Sequence, residues 1–369
     1  MEGKDVDWFA AVKTPSGLDD TKGKSFAYFD STQTGFKWSP KLINSTDSAI
    51  GATIRQLYES KEDVFTIAYN DDSPDDKANA YRAHSKGVAV FNDKVGFWMV
   101  HSVPNFPPSK KYDFPDSGSV YAQSFLCLSL SVNFLEDVAE YMRFAQVTPF
   151  LSNLPKFHKL VSSTFPGRQD VINKKSLPKS ATVFTTIREL ETLGGTRAKG
   201  FSKHRKFEAD LWYDFIAPNL NTRMSVETWR NGNGQNVGSQ CSKNKARQDV
   251  SIAILPVYDV EEVKLLEKTF PSSKDHSKWG VSMNVTVPVV CIGDVNRQVS
   301  QSKRGGGAVC IEDKKLWQAF YGSVAKQGNC RTKRRFACEN AKELKWTPAS
   351  DQRQSELIAL GQSIHFWSF

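Results

Sequence analysis

His84-Ser85-Lys86-Gly87-Val88-Ala89-Val90-Phe91-Asn92-Asp93-Lys94-Val95-Gly96-Phe97-Trp98-Met99-Val100-His101-Ser102-Val103-Pro104-Asn105 decides how this chain is read. Two apolar runs flank the polar triplet Asn92-Asp93-Lys94, which is the pattern of an antiparallel hairpin. That hairpin places His84 at the start of one strand and the His101 to Asn105 segment at the end of the next, on one edge. The arrangement returns later as His276-Ser277-Lys278, an alternating apolar run, and Gly293-Asp294-Val295-Asn296. Asn296 follows His276 at nearly the interval by which Asn105 follows His84. Two such copies on one chain predict two half-sites and a pseudo-dimer.

The bulk properties fit that prediction. A chain of 369 residues is a natural length for two domains or two fused repeats, and 24 Phe, 9 Trp and 10 Tyr can fill a large interior. No apolar run approaches the roughly eighteen residues a spanning helix needs, so no membrane partner is expected. Met1-Glu2-Gly3-Lys4-Asp5 carries no apolar signal region, which leaves a trimmed mature chain open. The net charge of +9 and pI near 9.1 favour a polyanionic partner, nucleic acid or an anionic surface, over the blander reading of a generic basic protein. Six cysteines, at 127, 241, 291, 310, 330 and 338, form no Cys-x-x-Cys, so two or three disulfides in an oxidising compartment are expected rather than zinc. The sequons Asn44-Ser45-Thr46 and Asn284-Val285-Thr286 are compatible with secretion.

Working outward, Val6 to Trp38 reads as strands joined by turns, Asp47 to Glu59 as a helix, and Val64 to Tyr69 as a buried strand. Asn70 to Ala80 is a polar loop that delivers the chain to His84. Ser124 to Gln146 contains an amphipathic helix whose stripe of Val132, Leu135, Val138, Ala139 and Met142 is core. The proline-rich segment 147–179 marks the boundary between a first half at 1–160 and a second at 161–369. In the second half Ala181 to Thr186 is strand-like, Lys206 to Phe215 a helix or mixed segment, Ser251 to Leu255 a strand and Val260 to Thr269 a helix. Gly280 to Cys291 alternates as strands do, Arg304 to Gly307 is a flexible basic turn, and Lys315 to Lys326 is a helix.

In a strand, side chains two apart share a face, so His84 lies beside Lys86 and His276 beside Lys278. Such a pair can grip one phosphate: the ammonium neutralises oxygen charge while the imidazole attacks phosphorus or moves a proton. Against this stands chance, since His204-Arg205-Lys206 is also His-x-Lys but has no strand pair or Asn after it, and reads as surface or DNA-facing charge. Repetition with matched context raises the other two. Asp71-Asp72 and Asp75-Asp76 lie in a polar loop without spaced metal partners and read as solvated. No Gly-x-Ser-x-Gly elbow, phosphate loop or dinucleotide fingerprint occurs. What remains is a phosphodiesterase working without metal or cofactor.

Together with these motifs, Gly96-Phe97-Trp98, Val100 to Pro108, Cys291-Ile292-Gly293-Asp294-Val295-Asn296-Arg297 and Ser302-Lys303-Arg304-Gly305-Gly306-Gly307 resemble the deoxyribonuclease II family, as do Val6-Asp7-Trp8-Phe9 and Leu42-Ile43-Asn44-Ser45. The resemblance implies an α/β, phospholipase D-like fold: two pseudo-twofold-related α/β/α halves, each with a mixed sheet, and an active site at their junction. It implies a metal-independent acid endonuclease, lysosomal or secreted, that leaves 3′-phosphate ends. His84, Lys86, His276 and Lys278 would be catalytic, with His84 taken as the nucleophile of a phosphohistidine intermediate and His276 as the acid. His101, Ser102, Asn105, Asp294, Asn296, Lys303 and Arg304 would complete the phosphate surround. Lys203, Arg205 and Lys206 would join Lys303 and Arg304 in neutralising phosphates of double-stranded DNA without reading bases, and a homodimer clamping the duplex suits the family. The chain departs from animal members at Gly280, where they commonly carry Cys, so their disulfide pairing does not transfer. Two other readings are a phosphodiesterase for lipid head groups and an inactive DNA-binding or toxin-like module.

Overall fold

The computed structural model describes residues 4–75, 78, 81–156, 167–232, 234–241 and 255–330. In the first sheet the strands are β1 (Trp8–Lys13), β2 (Phe26–Asp30), β3 (Lys37–Trp38), β4 (Phe65–Asn70), β5 (Lys86–Phe91), β6 (Val95–His101), β7 (Gln123–Ser131) and β8 (Pro149–Asn153). Their spatial order is β3-β2-β1-β7-β6-β5-β4-β8, antiparallel throughout. The second sheet holds β9 (Thr185–Glu191), β10 (Arg197–Lys203), β11 (Met224–Glu227), β12 (Val257–Leu265), β13 (Lys268–Pro271), β14 (Trp279–Ser282), β15 (Val289–Gly293) and β16 (Gly306–Glu312), with β17 (Val324–Gln327) on β12. Its order is β9-β10-β16-β15-β14-β11-β12-β13, in which the run from β9 to β12 corresponds to β2-β1-β7-β6-β5-β4-β8 of the first, β14 standing where β5 does and β15 where β6 does. One parallel pair, β11 with β12, makes this sheet mixed. The phospholipase D-like α/β architecture is thus present as two sheets of matching strand order.

Helices fill the layers between and outside the sheets. The helix α1 (Ala49–Glu59) is capped by the Ser48 hydroxyl accepting the Gly51 N–H at 2.9 Å, and buries Ile50, Ile54 and Leu57 on the outer face of the first sheet. The helix α2 (Leu135–Ala145) lies between the sheets and packs on β9, β10 and β16, with the Tyr141 ring 4.7 Å from that of Trp98. The helix α3 (Lys314–Gly322), capped by Asp313, packs on β14 and β15. One apolar core unites the inner faces of both sheets, from Trp8 and Leu126 to Trp279 and Ile311, which fixes one sheet against the other.

Several expected elements differ, each for a physical reason. The amphipathic helix expected within 124–146 is Leu135–Ala145, and the residues before it, for which no strand was expected, form the central strand β7. Leu126, Leu128 and Leu130 face the inner core while Phe125 and Cys127 face the outer one, so a strand buried on both sides loses its alternation and mimics a buried helix. Val260 to Thr269 is the β12/β13 hairpin, turning at Leu266 with φ 55°; register breaks around Glu262 space Val257, Val260 and Val263 as a helix would. The strand expected at 181–186 starts at Thr185, and 206–215 is a mixture of 3₁₀ and π turns. Ser251 to Ile254 and Cys338 lie outside the described residues. Cys291 bonds to Cys310 across β15 and β16, and Cys241 to Cys330, while Cys127 is buried and free. Gly280 is the other cross-strand neighbour of Cys291; a Cβ there would sit 2.7 Å from the Trp212 ring, so the glycine makes room for tryptophan.

Two buried lysines occupy equivalent places. Lys13 ends β1 and donates to the carbonyls of Thr14, Gly23 and Ser119; Lys203 ends β10 and donates to those of Gln301, Ser302 and Arg304. Each pegs the loop before the next strand, and burial lowers the two to about 7 and about 8. Lys203 therefore cannot reach DNA, contrary to expectation. Lys203→Ala should lower stability by about 2–3 kcal/mol because buried carbonyls lose their donor. Chemical denaturation checks this; an unchanged midpoint would show that the peg is dispensable.

Candidate active site

Each His-x-Lys motif enters its strand where the other half of the chain can hold it. The His84 N–H donates to the Gly305 carbonyl at 2.9 Å and the Lys86 N–H to Asp294 Oδ1 at 3.3 Å. Reciprocally, the His276 N–H donates to the Ala122 carbonyl at 2.9 Å and the Lys278 N–H to Ser124 Oγ at 3.3 Å. Arg304 to Gly307, expected as a flexible turn, is a buried joint behind His84. Gly306 has φ 147°, and a Cβ there would lie 2.5 Å from Val295 Cγ2 and 3.0 Å from the His84 carbonyl oxygen. Only glycine fits.

The four basic groups share one field. Burial first, then the charges of Lys86, Arg304 and Lys278, push His84 well below the ordinary histidine value. His276 is pushed down likewise by burial, Lys278, Lys86 and His84. Burial and the Lys86 charge lower Lys278 well below its usual range. Burial raises Asp294 to about 7 against the opposing charge of Lys86, so below that pH it is a neutral acid. Such mutual influence requires the groups to converge.

The two imidazoles are held differently. His276 Nδ1 lies 3.0 Å from the Ser102 carbonyl oxygen and 3.2 Å from Gln123 Oε1. Both neighbours are acceptors, so Nδ1 carries the hydrogen and Nε2 is left for chemistry. Lys278 Nζ donates to the His276 carbonyl at 2.6 Å and sits 3.2 and 3.3 Å from the two ring nitrogens. The Trp229 ring packs edge-on to His276 at 5.1 Å. His84 Nε2 is 4.0 Å from Asp71 Oδ2, and its buried Nδ1 makes no hydrogen bond.

Asp71 is the residue sequence reasoning missed. Read as a solvated loop acid, it is buried, pairs with Lys86, and accepts from Arg304 at 3.0 Å. Burial would raise its carboxyl, but the charges of Lys86 and Arg304 win and hold it below the usual value. The available signal was its place directly after the strand at 64–69, beside the His-x-Lys strand. Gln123 was also missed; its Oε1 accepts from Ser102 Oγ at 2.5 Å, tying Ser102 to His276. No sequence pattern marks it.

The expected phosphate surround divides. Ser102 and Asp294 join the His-x-Lys cluster as described. His101 packs edge-on to Phe106, stacks on Phe125 and accepts the Val103 N–H on Nδ1; burial and Lys86 push it to about 3, a neutral wall behind the site. The Asn105 amide is taken up by Asp72 and Ser73, with φ 55°, and so shapes the loop that carries Asp71. Asn296 is buried, lining a cavity with Asp210 and Gln298. Arg304 is committed to Asp71 and the Ala83 carbonyl, whereas Lys303 is exposed. Among the described residues no helix is long and apolar enough to cross a membrane.

Comparison with known proteins points one way. The sequence model of deoxyribonuclease II matches residues 1–330. Cell-death-related nuclease 7 of Caenorhabditis elegans is 40% identical over 340 residues, spanning 91% of this chain and 89% of that protein. Deoxyribonuclease-2 of the same organism is 32% identical over 365 residues (89% and 92%), and deoxyribonuclease-2-beta of Mus musculus 32% over 344 (89% and 91%).

Proposed function

The chain belongs to the deoxyribonuclease II family and is a deoxyribonuclease, and from that premise we propose that it cuts DNA at acid pH, without a metal ion, through a phosphohistidine. The observation that supports this most is the convergence of His84, Lys86, His276 and Lys278 in one buried field. His84, kept neutral by burial and then by the charges of Lys86, Arg304 and Lys278, attacks phosphorus as the bond to the 5′-oxygen breaks. His276, whose Nδ1–H is backed by two oxygens, gives the Nε2 proton to that oxygen. Water then attacks the phosphohistidine while His276 takes its proton back, and a 3′-phosphate leaves opposite a 5′-hydroxyl. The lysines supply the positive charge for the phosphoryl oxygens. The substrate is duplex DNA held by its backbone without base reading, and a homodimer clamps it.

The sign of the pH dependence follows. Both imidazoles are pushed well below the ordinary histidine value of about 6.5, so the protonated His276 that the first step needs gains population only at pH well under that value. Asp294 is already neutral below about 7, which removes a negative charge beside the phosphate. Plasmid DNA with EDTA should be cut faster at pH 5 than at pH 7.5. Cutting that needs a divalent ion, or that is fastest at neutral pH, refutes this chemistry. The disulfides Cys241–Cys330 and Cys291–Cys310 support an oxidising site of action, secreted or lysosomal.

A further inference from the structure

The third His-x-Lys, His204-Arg205-Lys206, sits on a cavity of about 550 Å³ lined also by Arg82, Gln146 and Lys303. His204 and Gln146 are buried at its floor. His204 Nδ1 accepts the Lys206 N–H at 3.1 Å, and Gln146 accepts the Arg205 N–H at 3.1 Å while donating to Ser176 Oγ at 3.0 Å. The floor is thus preformed by its own hydrogen bonds. The Arg205 guanidinium carbon sits over the exposed Tyr81 ring, 3.6 Å from its centre, which orders the guanidinium. Glu208 is the single acid among the lining residues, and no described carboxylate forms an ion pair with Arg205, Lys206 or Lys303. Burial, then the charges of Lys206, Arg205, Arg82 and Lys203, push His204 down to about 4. The field that repels a proton at this floor attracts an anion.

The cavity is also joined to the catalytic centre. Arg82 is two residues before His84, so their Cα atoms are at most about 7 Å apart. Arg304, next to Lys303, pairs with Asp71, which pairs with Lys86. Phosphates of one DNA strand advance about 3.4 Å per nucleotide along the axis, so a strand gripped by Lys86 and Lys278 brings neighbouring phosphates within range.

We propose that the cavity lined by Arg82, Arg205, Lys206 and Lys303 is a phosphate-binding subsite that seats a backbone phosphate of the DNA strand a few nucleotides from the one being cut. This rests on the deoxyribonuclease reading and adds the path of the strand, along the Tyr81 to His84 segment. Arg205, Lys206 and Lys303 hold the strand by charge and read no base, whereas Arg82 also holds the cavity wall through the Gln146 carbonyl at 3.0 Å.

The test compares the full-length protein with its R205A/K206A/K303A variant on plasmid DNA and on bis(p-nitrophenyl) phosphate, a diester too small to reach the cavity. The ratio of kcat/KM for DNA to that for the small diester should fall roughly tenfold or more, mainly through KM, and the slope of log affinity against log salt should lessen by about one per contact removed. Single K206A and K303A variants, at exposed positions, should each remove about one from that slope even if the triple variant folds poorly. A proportionate loss on both substrates, or an unchanged salt slope, overturns the subsite. Should the wild-type protein cut neither substrate, the nuclease reading fails separately. Anisotropy of a labelled oligonucleotide then decides the subsite, a lessened slope supporting it and an unchanged one overturning it.

Discussion

His84→Ala and His276→Ala proteins should each lose DNA cleavage by at least about 10³-fold while keeping the wild-type fold, because one side chain forms the covalent bond and the other moves the proton. Among the described residues neither role has a stand-in: the other two described histidines, His101 and His204, have their Nδ1 atoms committed to backbone N–H groups and their rings buried. The losses should not add: the double variant should be about as inactive as the worse single one, since both groups serve one step. Rapid quenching of a reaction with 5′-end-labelled DNA should trap label on His84, because the 5′-oxygen leaves and the upstream fragment stays bonded to the histidine through its 3′-phosphoryl group. Label on His276 would exchange the roles proposed above, and full activity of either alanine variant would remove paired-histidine catalysis altogether.

Asp71→Ala should be the most destabilising single change near the site, by about 3–5 kcal/mol, with cleavage lost as well. The reason is what it leaves behind: the side chains of Lys86 and Arg304 are 4% and 12% exposed, and each would be a buried cation without its carboxylate. Lys86 would swing from the phosphate position, and the Arg304 contact to the Ala83 carbonyl that supports His84 would loosen. The pH dependence has a definite sign. Because the folded carboxyl is held below the usual value, its stabilisation is complete above pH about 4 and is lost only as pH falls through the folded value. Wild type and variant should thus differ fully at pH 5, where thermal unfolding measures the gap. Equal stability at pH 5 would show that Lys86 and Arg304 are not relying on this acid.

The His84 to Asn105 hairpin and its second copy were legible because their evidence is local: two apolar runs of strand length around a turn, with His and Lys at a spacing of two. Strands buried on both faces were harder. Residues 124–131 alternate between two cores that are both apolar, so no polar face marks the period, and the bulged β12 spaced its valines like a helix. The basic residues were legible as charges but not by task. Lys203 and Lys303 look alike in the sequence, yet one is sealed under three carbonyls and the other stands at the mouth of a cavity.

By itself, then, the sequence determined the pairing of two His-x-Lys half-sites, the hairpins that carry them, and the family. The tertiary structure alone decided which side chains surround those half-sites. Asp71 became the counter-ion of Lys86, Gln123 the partner of His276, Asn105 a loop anchor and His204 the floor of a separate basic cavity. The division has a physical cause. Strand period and turn chemistry act between residues a few positions apart, whereas desolvation and charge pairing depend on which distant segments bury one another.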